Sequence, residues 1–192
     1  MDEARSIIDS KIARLEESIR TLKSHRNELS PISRLPTEIL CNIFKLSLSD
    51  YQIPSPQSWT NFSQVSRQWR SSALSAPELW TNITLKYPRW TQEMLIRSKK
   101  AKLTIRSGSL PKSTLISTFR SCLCEMNRVE EIDLTIRGST LKEFLRDLPK
   151  SAPQLHTLRL QILSEIRFSI HEDFLYDAER LQHVEQINCK IS

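Results

Sequence analysis

The first thirty residues carry apolar side chains at a regular helical spacing. These side chains recur at intervals of 4, 3, 4, 3 and 7 residues, which is a heptad seam interrupted at Arg26. The pattern predicts a coiled-coil-like helix over residues 1–29. A homodimer through this seam is one interpretation; the alternative is that the seam packs on the chain's own next domain or is covered by another partner. The seam consists of Ile8, Ile12, Leu15, Ile19, Leu22 and Leu29.

A wider apolar face follows in the next segment. Between Thr37 and Phe44 the apolar residues come in adjacent pairs at i, i+1, i+4 and i+5, which predicts a helix with two apolar columns. A unit this small needs only one column for its own core. The other column, either Leu40 with Phe44 or Ile39 with Ile43, is then left for a partner.

The rest of this segment predicts a small domain of three short helices over residues 30–80. Residues 47–60 hold two prolines among polar side chains, which indicates a loop. Pro77 marks the start of a short capped turn or helix that ends at Trp80. A second helix is predicted from apolar side chains that share one face: Phe62, Val65, Trp69 and Ala73.

From residue 81 onward, strand-like apolar alternations are separated by stretches at helical spacing. Their frames begin at residues 80, 100, 129, 155 and 184, and intervals of 20 to 29 residues are in the range of leucine-rich repeats. The region 81–192 is therefore predicted to be a short α/β solenoid, and the whole chain to be of mixed α and α/β class. Residues 166–170 add an alternation outside the period. The sequence stops within the last alternation, so we expect a truncated repeat region or one closed by a partner.

The order of motifs between residues 30 and 85 resembles the F-box, in particular the F-box-like proteins abundant in mushroom-forming fungi. The helix and the irregular repeats on either side also resemble that group. Three motifs carry the resemblance: Leu35-Pro36-Thr37-Glu38-Ile39-Leu40 with Ile43-Phe44, then Val65-Ser66-Arg67-Gln68-Trp69-Arg70, then Leu79-Trp80.

The resemblance implies a substrate-receptor subunit of an SCF-type ubiquitin ligase. In that family the F-box binds the SCF adaptor subunit and through it a cullin, while the repeats bind a protein substrate whose identity the sequence does not give. The chemistry takes place elsewhere in the complex, so the resemblance implies no catalytic residue here. The implied adaptor-binding residues are Leu35, Pro36, Ile39, Leu40, Ile43, Val65 and Trp69.

Charge gives a weaker indication of partners. There are 28 Lys and Arg residues against 22 Asp and Glu, a formal net charge of +6. A basic run between Arg97 and Arg106, with Trp90 nearby, is compatible with nucleic acid or with an acidic protein substrate. We favour a structural interpretation, in which these cations lie at a helix C-terminus and on the outer face of a strand. Nucleic acid is therefore not an expected partner.

Several enzyme classes lack the residues they need. The chain has two glycines, Gly108 and Gly138, too few and too far apart for a phosphate-binding loop. The four histidines are scattered, and the cysteines form no C-x-x-C pair, so no catalytic residue, metal site or cofactor is predicted. No apolar run is long enough for a membrane span, and we expect a cytoplasmic or nuclear protein. The competing interpretation is a non-catalytic scaffold that dimerises through its N-terminal coil without recruiting a ligase.

Overall fold

The computed structural model describes residues 2–49, 55–147, 151–163 and 180–189. Helix α1, Asp2–Glu28, confirms the predicted N-terminal helix. Asp2 and Glu3 lie in its first turn and His25 and Arg26 in its last turn, which complements the helix dipole. Leu29, the last residue of the predicted seam, lies just beyond the helix, and α1 buries none of its residues.

Three further α-helices form the next region. The prediction of one helix through Phe62 and Ala73 is wrong, because the chain turns at residues 64–66. Ser66 has extended backbone angles, and its Oγ accepts a hydrogen bond from the Trp69 amide at 3.2 Å, which starts a new helix. Part of the loop predicted over 47–60 is helical instead: residues 47–49 belong to α2, and Pro56 opens a helix from its first position. Residues 50–54 of that prediction lie outside the described residues. The elements are α2 Thr37–Ser49, α3 Pro56–Ser63 and α4 Arg67–Ser75, with 3-10 turns at Pro31–Arg34 and Pro77–Trp80.

The remainder of the described chain is a parallel sheet with helices between its strands. All five described strands pair in chain order, β1-β2-β3-β4-β5, and every pair is parallel. The chain is thus of mixed α/β class. The strands are β1 Asn82–Thr84, β2 Leu103–Ser107, β3 Val129–Arg137, β4 Thr157–Leu163 and β5 His183–Cys189, and the helices are α5 Pro88–Arg97, α6 Lys112–Cys122, α7 Gly138–Asp147 and a 3-10 helix at Leu123–Arg128.

The strand register departs from the predicted frame at three of the four strand pairs and matches it between β3 and β4, where Ile132 pairs with Leu158. Ile132 pairs with Ile105 rather than with Leu103, an offset of two residues. Ile83 pairs with Ile105 rather than with Leu103, an offset of two residues. Leu158 pairs with Val184 rather than with Ile187, an offset of three. The alternation at residues 166–170 lies outside the described residues.

One buried cluster joins the sheet to its helices. Alternate strand residues point to the same face of a sheet, and those on the inner face of β2, β3 and β4 are buried. Phe119 of α6 and Phe144 of α7 pack against each other with ring centroids 4.7 Å apart. The same cluster continues into α2 through Phe44, so the helical region and the sheet share one hydrophobic core.

Candidate partner-binding surface

Helix α2 separates its two apolar columns cleanly. Leu40 and Phe44 have no solvent exposure, and they form the core of the helical region. Ile39 is 45% exposed and Ile43 is half-buried, one turn apart on another side of the helix. The outward column is therefore the one made by Ile39 and Ile43. Leu40 was predicted as an adaptor contact, but it has no exposed surface and supports this column from beneath.

The core under the outward column is aromatic. The ring of Phe44 lies 5.0 Å from that of Phe62 in α3 and 5.1 Å from that of Trp69 in α4, measured between centroids. Trp69 is half-buried by this packing, so only part of its predicted contact surface is accessible. These three rings fix the position of α2 against α3 and α4. Such aromatic pairs add stabilisation beyond the area that they bury.

The segment before α2 is held by α4. The side-chain amide of Gln68 donates a hydrogen bond to the Ser33 carbonyl at 3.1 Å. Leu35 and Pro36 follow directly, the first half-buried and the second exposed. Pro36 caps the start of α2 through its carbonyl, which accepts from the amides of Ile39 and Leu40 at 3.1 Å. Leu35 and Pro36 thus precede the outward column without interruption.

Val65 lies in the turn between α3 and α4 and is 50% exposed. It was predicted on a helix face with Trp69, but the turn directs it into solvent instead. Two further exposed apolar residues were not predicted, namely Ile32 at 38% and Leu46 at 69% exposure. Helical spacing could have found Leu46, since it stands seven residues after Ile39 and three after Ile43. The outward surface is therefore longer than the sequence indicated.

Burial also changes the chemistry of a thiol on the inner side of α2. The Cys41 Sγ lies 3.7 Å from the Ser72 carbonyl, to which it can donate a hydrogen bond. Loss of solvent raises the pKa of the Cys41 thiol above its ordinary value. A thiol of this kind is a small core residue and a poor nucleophile.

Comparison with known protein families gives this helical region a name. Residues 32–86 match the family model described as F-box-like. The chain carries an F-box-like domain. The predicted resemblance to the F-box is thereby confirmed, and no curated protein or solved structure matches the chain.

The F-box-like domain indicates a general role as an adaptor in SCF-type ubiquitin ligases. Such domains are typically non-catalytic components, and they bind the adaptor subunit that leads to a cullin scaffold. The outward column of Ile39 and Ile43 lies within the matched residues, as do all the other predicted adaptor contacts.

Beyond the F-box-like domain, the outer face of the sheet carries a row of alternating charges. Glu131 of β3 accepts from Arg159 of β4 at 2.8 Å and lies 3.6 Å from Arg106 of β2. Arg159 in turn lies 3.3 Å from Glu185 of β5. The row therefore spans four strands. Asp133 pairs in register with Arg106 on one side and Arg159 on the other.

Three of the five cations in the basic run between Arg97 and Arg106 form ion pairs. Arg97 pairs with Glu93 at 3.1 Å, Lys102 with Glu130, and Arg106 with Glu131. The run begins at the end of α5 and continues into β2, as the structural interpretation expects. Cations already paired with carboxylates release fewer counterions on binding a phosphate backbone, which weighs against a nucleic-acid footprint.

The described part of the chain contains no cluster of three or more His, Cys, Asp or Glu residues able to hold a metal ion. Among the same residues, no helix is both long and apolar enough to cross a membrane.

Proposed function

We propose that this chain is a substrate-receptor subunit of an SCF-type ubiquitin ligase, acting in the cytoplasm or nucleus. Its F-box-like domain binds the adaptor subunit, and its sheet region binds a protein substrate. The observation that carries the proposal is the outward apolar column of Ile39 and Ile43 on a helix whose opposite column is fully packed. Exposed apolar side chains on a firmly held helix are typical of a protein interface.

The adaptor-binding surface is built around that column. Leu35 and Pro36 extend it before α2, and Val65 and the exposed part of Trp69 extend it toward α4. Leu40 contributes by holding the column in place from the core. Contact through a rigid helix face loses little conformational entropy on binding, which favours affinity.

The sheet region is the proposed substrate receptor. Five parallel strands that pair in chain order support a leucine-rich-repeat-like solenoid, the architecture predicted from the strand intervals. Its outer face presents charged side chains of both signs, including Glu131, Asp133 and Arg159. An arrangement of alternating charges selects a partner by complementarity more than by buried area.

The adaptor contact is tested by co-purification of the full chain with the SCF adaptor subunit. Wild type is compared with an Ile39→Asp, Ile43→Asp double variant. We expect capture by wild type and loss in the variant, because two carboxylates would be buried without partners in the interface. Circular dichroism and thermal unfolding establish that the variant keeps its fold.

Ile96→Asp is the matched control. Ile96 is also an exposed isoleucine on a helix, but α5 lies outside the proposed surface. It should leave capture unchanged. Failure of folded wild type to bind the adaptor, or equal loss in Ile96→Asp, would contradict the proposed surface.

A second candidate function is a dimeric scaffold that recruits no ligase. It is favoured by the seam of α1, whose apolar residues are all between 48% and 76% exposed. In a parallel two-stranded coil, Lys11 would face Glu16 of the second copy and complement its charge. If the chain dimerises and also binds the adaptor subunit, it is instead a bivalent receptor.

Sedimentation of the full chain against one that starts at Ser30 separates these possibilities. A dimer of the full chain and a monomer of the shorter one support the coil. The double variant Ile12→Asp, Ile19→Asp of the full chain should then also be a monomer. Ser18→Asp, which lies off the seam, should remain a dimer. Monomers throughout would remove the scaffold hypothesis.

A further inference from the structure

A small cavity lies where the F-box-like domain meets the first helix of the sheet region. Its volume is about 160 Å³, and its walls include the indoles of Trp59, Trp80 and Trp90. The rings of Trp59 and Trp80 stack at 4.1 Å, and the Trp90 ring is tilted against both, at 6.4 and 5.7 Å. Three of the four tryptophans of the chain therefore line one cavity.

Two of these indoles carry buried donors without an acceptor. The Nε1 atoms of Trp59 and Trp90 are shielded from solvent, and neither has a hydrogen-bond partner in the described part of the chain. By contrast, the Trp80 Nε1 donates to the Ala73 carbonyl at 2.9 Å. Because neither atom has accessible surface, an occupant of the cavity would meet the rings of these indoles rather than their N–H groups.

The charged residues of the cavity are both cationic. Arg97 lies over the Trp80 ring, with its Cζ 4.5 Å from the centroid. It also forms an ion pair with Glu93 at 3.1 Å. Arg70 is exposed, and no salt bridge to it is found among the described residues. No acidic side chain is among the described residues that line the cavity. The polar group that fits best beside these arginines is therefore an anion.

The size and the walls restrict the occupant further. Clefts for drug-sized ligands start at about 300 Å³, whereas an apolar cavity of about 150 Å³ holds one benzene ring. The walls are largely aromatic, with Leu74 and Ala73 adding apolar surface. A planar apolar group of about one ring fills such a space, and its anionic substituent can reach the arginines.

We propose that this cavity binds a small organic carboxylate carried on a planar apolar group, with the indole rings and Arg70 as its recognition elements. The occupant would contact α3 and α4 on one side and α5 on the other. It would thus couple the F-box-like domain to the sheet region. The site shares no residue with the outward column of Ile39 and Ile43, so it stands whether or not that column binds the adaptor.

The test is isothermal titration calorimetry of the full chain with benzoate, benzamide and inorganic phosphate. We expect saturable binding of benzoate and a rise in the melting temperature with its concentration. Benzamide keeps the ring without the charge, and phosphate keeps the charge without the ring. Both should bind at least about tenfold more weakly, because each loses one set of contacts.

Two variants locate the binding. Arg70→Gln should weaken benzoate about tenfold, since a charge-assisted hydrogen bond is lost. Trp59→Leu removes one aromatic wall of the cavity, and it should weaken benzoate about fivefold. Arg67→Gln is the matched control, because Arg67 is exposed on the same helix and does not line the cavity. Near-UV circular dichroism establishes the fold of each variant.

Four outcomes would overturn the proposal: no saturable benzoate binding, equal binding of benzamide, equal binding of phosphate, or an equal effect of Arg67→Gln and Arg70→Gln. Adaptor capture by Arg70→Gln should match wild type, which keeps this test distinct from that of the ligase function.

Discussion

Helices α1 and α2 are both built on isoleucine and leucine at helical spacing, yet only α2 buries any of these residues. In α1 the apolar residues form a stripe two positions wide, and nothing in the described chain covers it. In α2 they form two columns; Leu40 and Phe44 are fully buried, and Phe44 packs against rings of α3 and α4. Helical periodicity therefore predicts the helix in both cases. Burial depends on whether another element presents complementary side chains.

The largest effect should come from the inner column of α2. Phe44→Ala removes a fully buried ring that contacts Phe62 and Trp69, and we expect it to lower the free energy of unfolding by about 3–5 kcal/mol. Ile39→Ala on the outer column should cost less than about 1 kcal/mol. Urea unfolding with a common slope measures both. Equal costs would mean that the two columns are not distinct.

A smaller effect is expected where α4 begins. Ser66→Ala removes the side-chain acceptor of the Trp69 amide and should cost about 1 kcal/mol. Because Trp69 packs on Phe44, this loss should loosen α2 as well, which amide hydrogen exchange can follow. Ser71→Ala, at an exposed site on the same helix, serves as the control. No difference between the two variants would show that the cap is dispensable.

The seam of α1 should contribute still less to the stability of a monomer. Leu15→Ala removes a side chain that is 64% exposed, so the change should be below about 0.5 kcal/mol at low protein concentration. If a second copy covers the seam, the cost should grow as protein concentration rises. Chemical unfolding at two concentrations measures this. A large cost at both would mean that α1 packs on its own chain.

The last prediction concerns the reactivity of thiols, which reports burial directly but has the smallest effect on stability. Burial raises the pKa of Cys41. At a given pH, a smaller fraction of this residue is therefore thiolate than for a thiol of ordinary pKa. Cys124 is exposed on the sheet region. We expect iodoacetamide to label Cys124 well before Cys41, and labelling of Cys41 to need higher pH. Peptide mapping by mass spectrometry gives the order, and the reverse order would mean that the inner side of α2 is open.

Sequence alone located the elements better than it located their contacts. The alternations around Ile83, Ile105, Ile132 and Leu158 predicted strands because buried strand residues recur every second position. The register was correct between β3 and β4, and it was missed by two or three residues at the other three strand pairs, because the number of residues between successive strands does not fix their alignment. The break at Ser66 was missed for a related reason. Phe62, Val65, Trp69 and Ala73 keep helical spacing across a turn that a single cap creates.

The candidate sites were predicted unevenly. Paired apolar residues indicated two columns on α2, but only packing against Phe62 and Trp69 selects Ile39 and Ile43 as the outward pair. The tryptophan cavity was not predicted, since Trp59 and Trp90 are thirty-one residues apart and nothing local marks their unpaired donors. Such sites form where residues distant in sequence meet in the fold, and the spacing of residues along the sequence does not show this.

The chain-order pairing of the strands has a consequence for how this protein can change in length. Each strand touches only the strand before it and the strand after it, so a strand and its helix can be duplicated or deleted without altering the pairing of distant units. The helical end is not disturbed by such events. Evolution can therefore lengthen or shorten the outer face, and with it the set of molecules that it contacts, while the end that carries α2 stays constant.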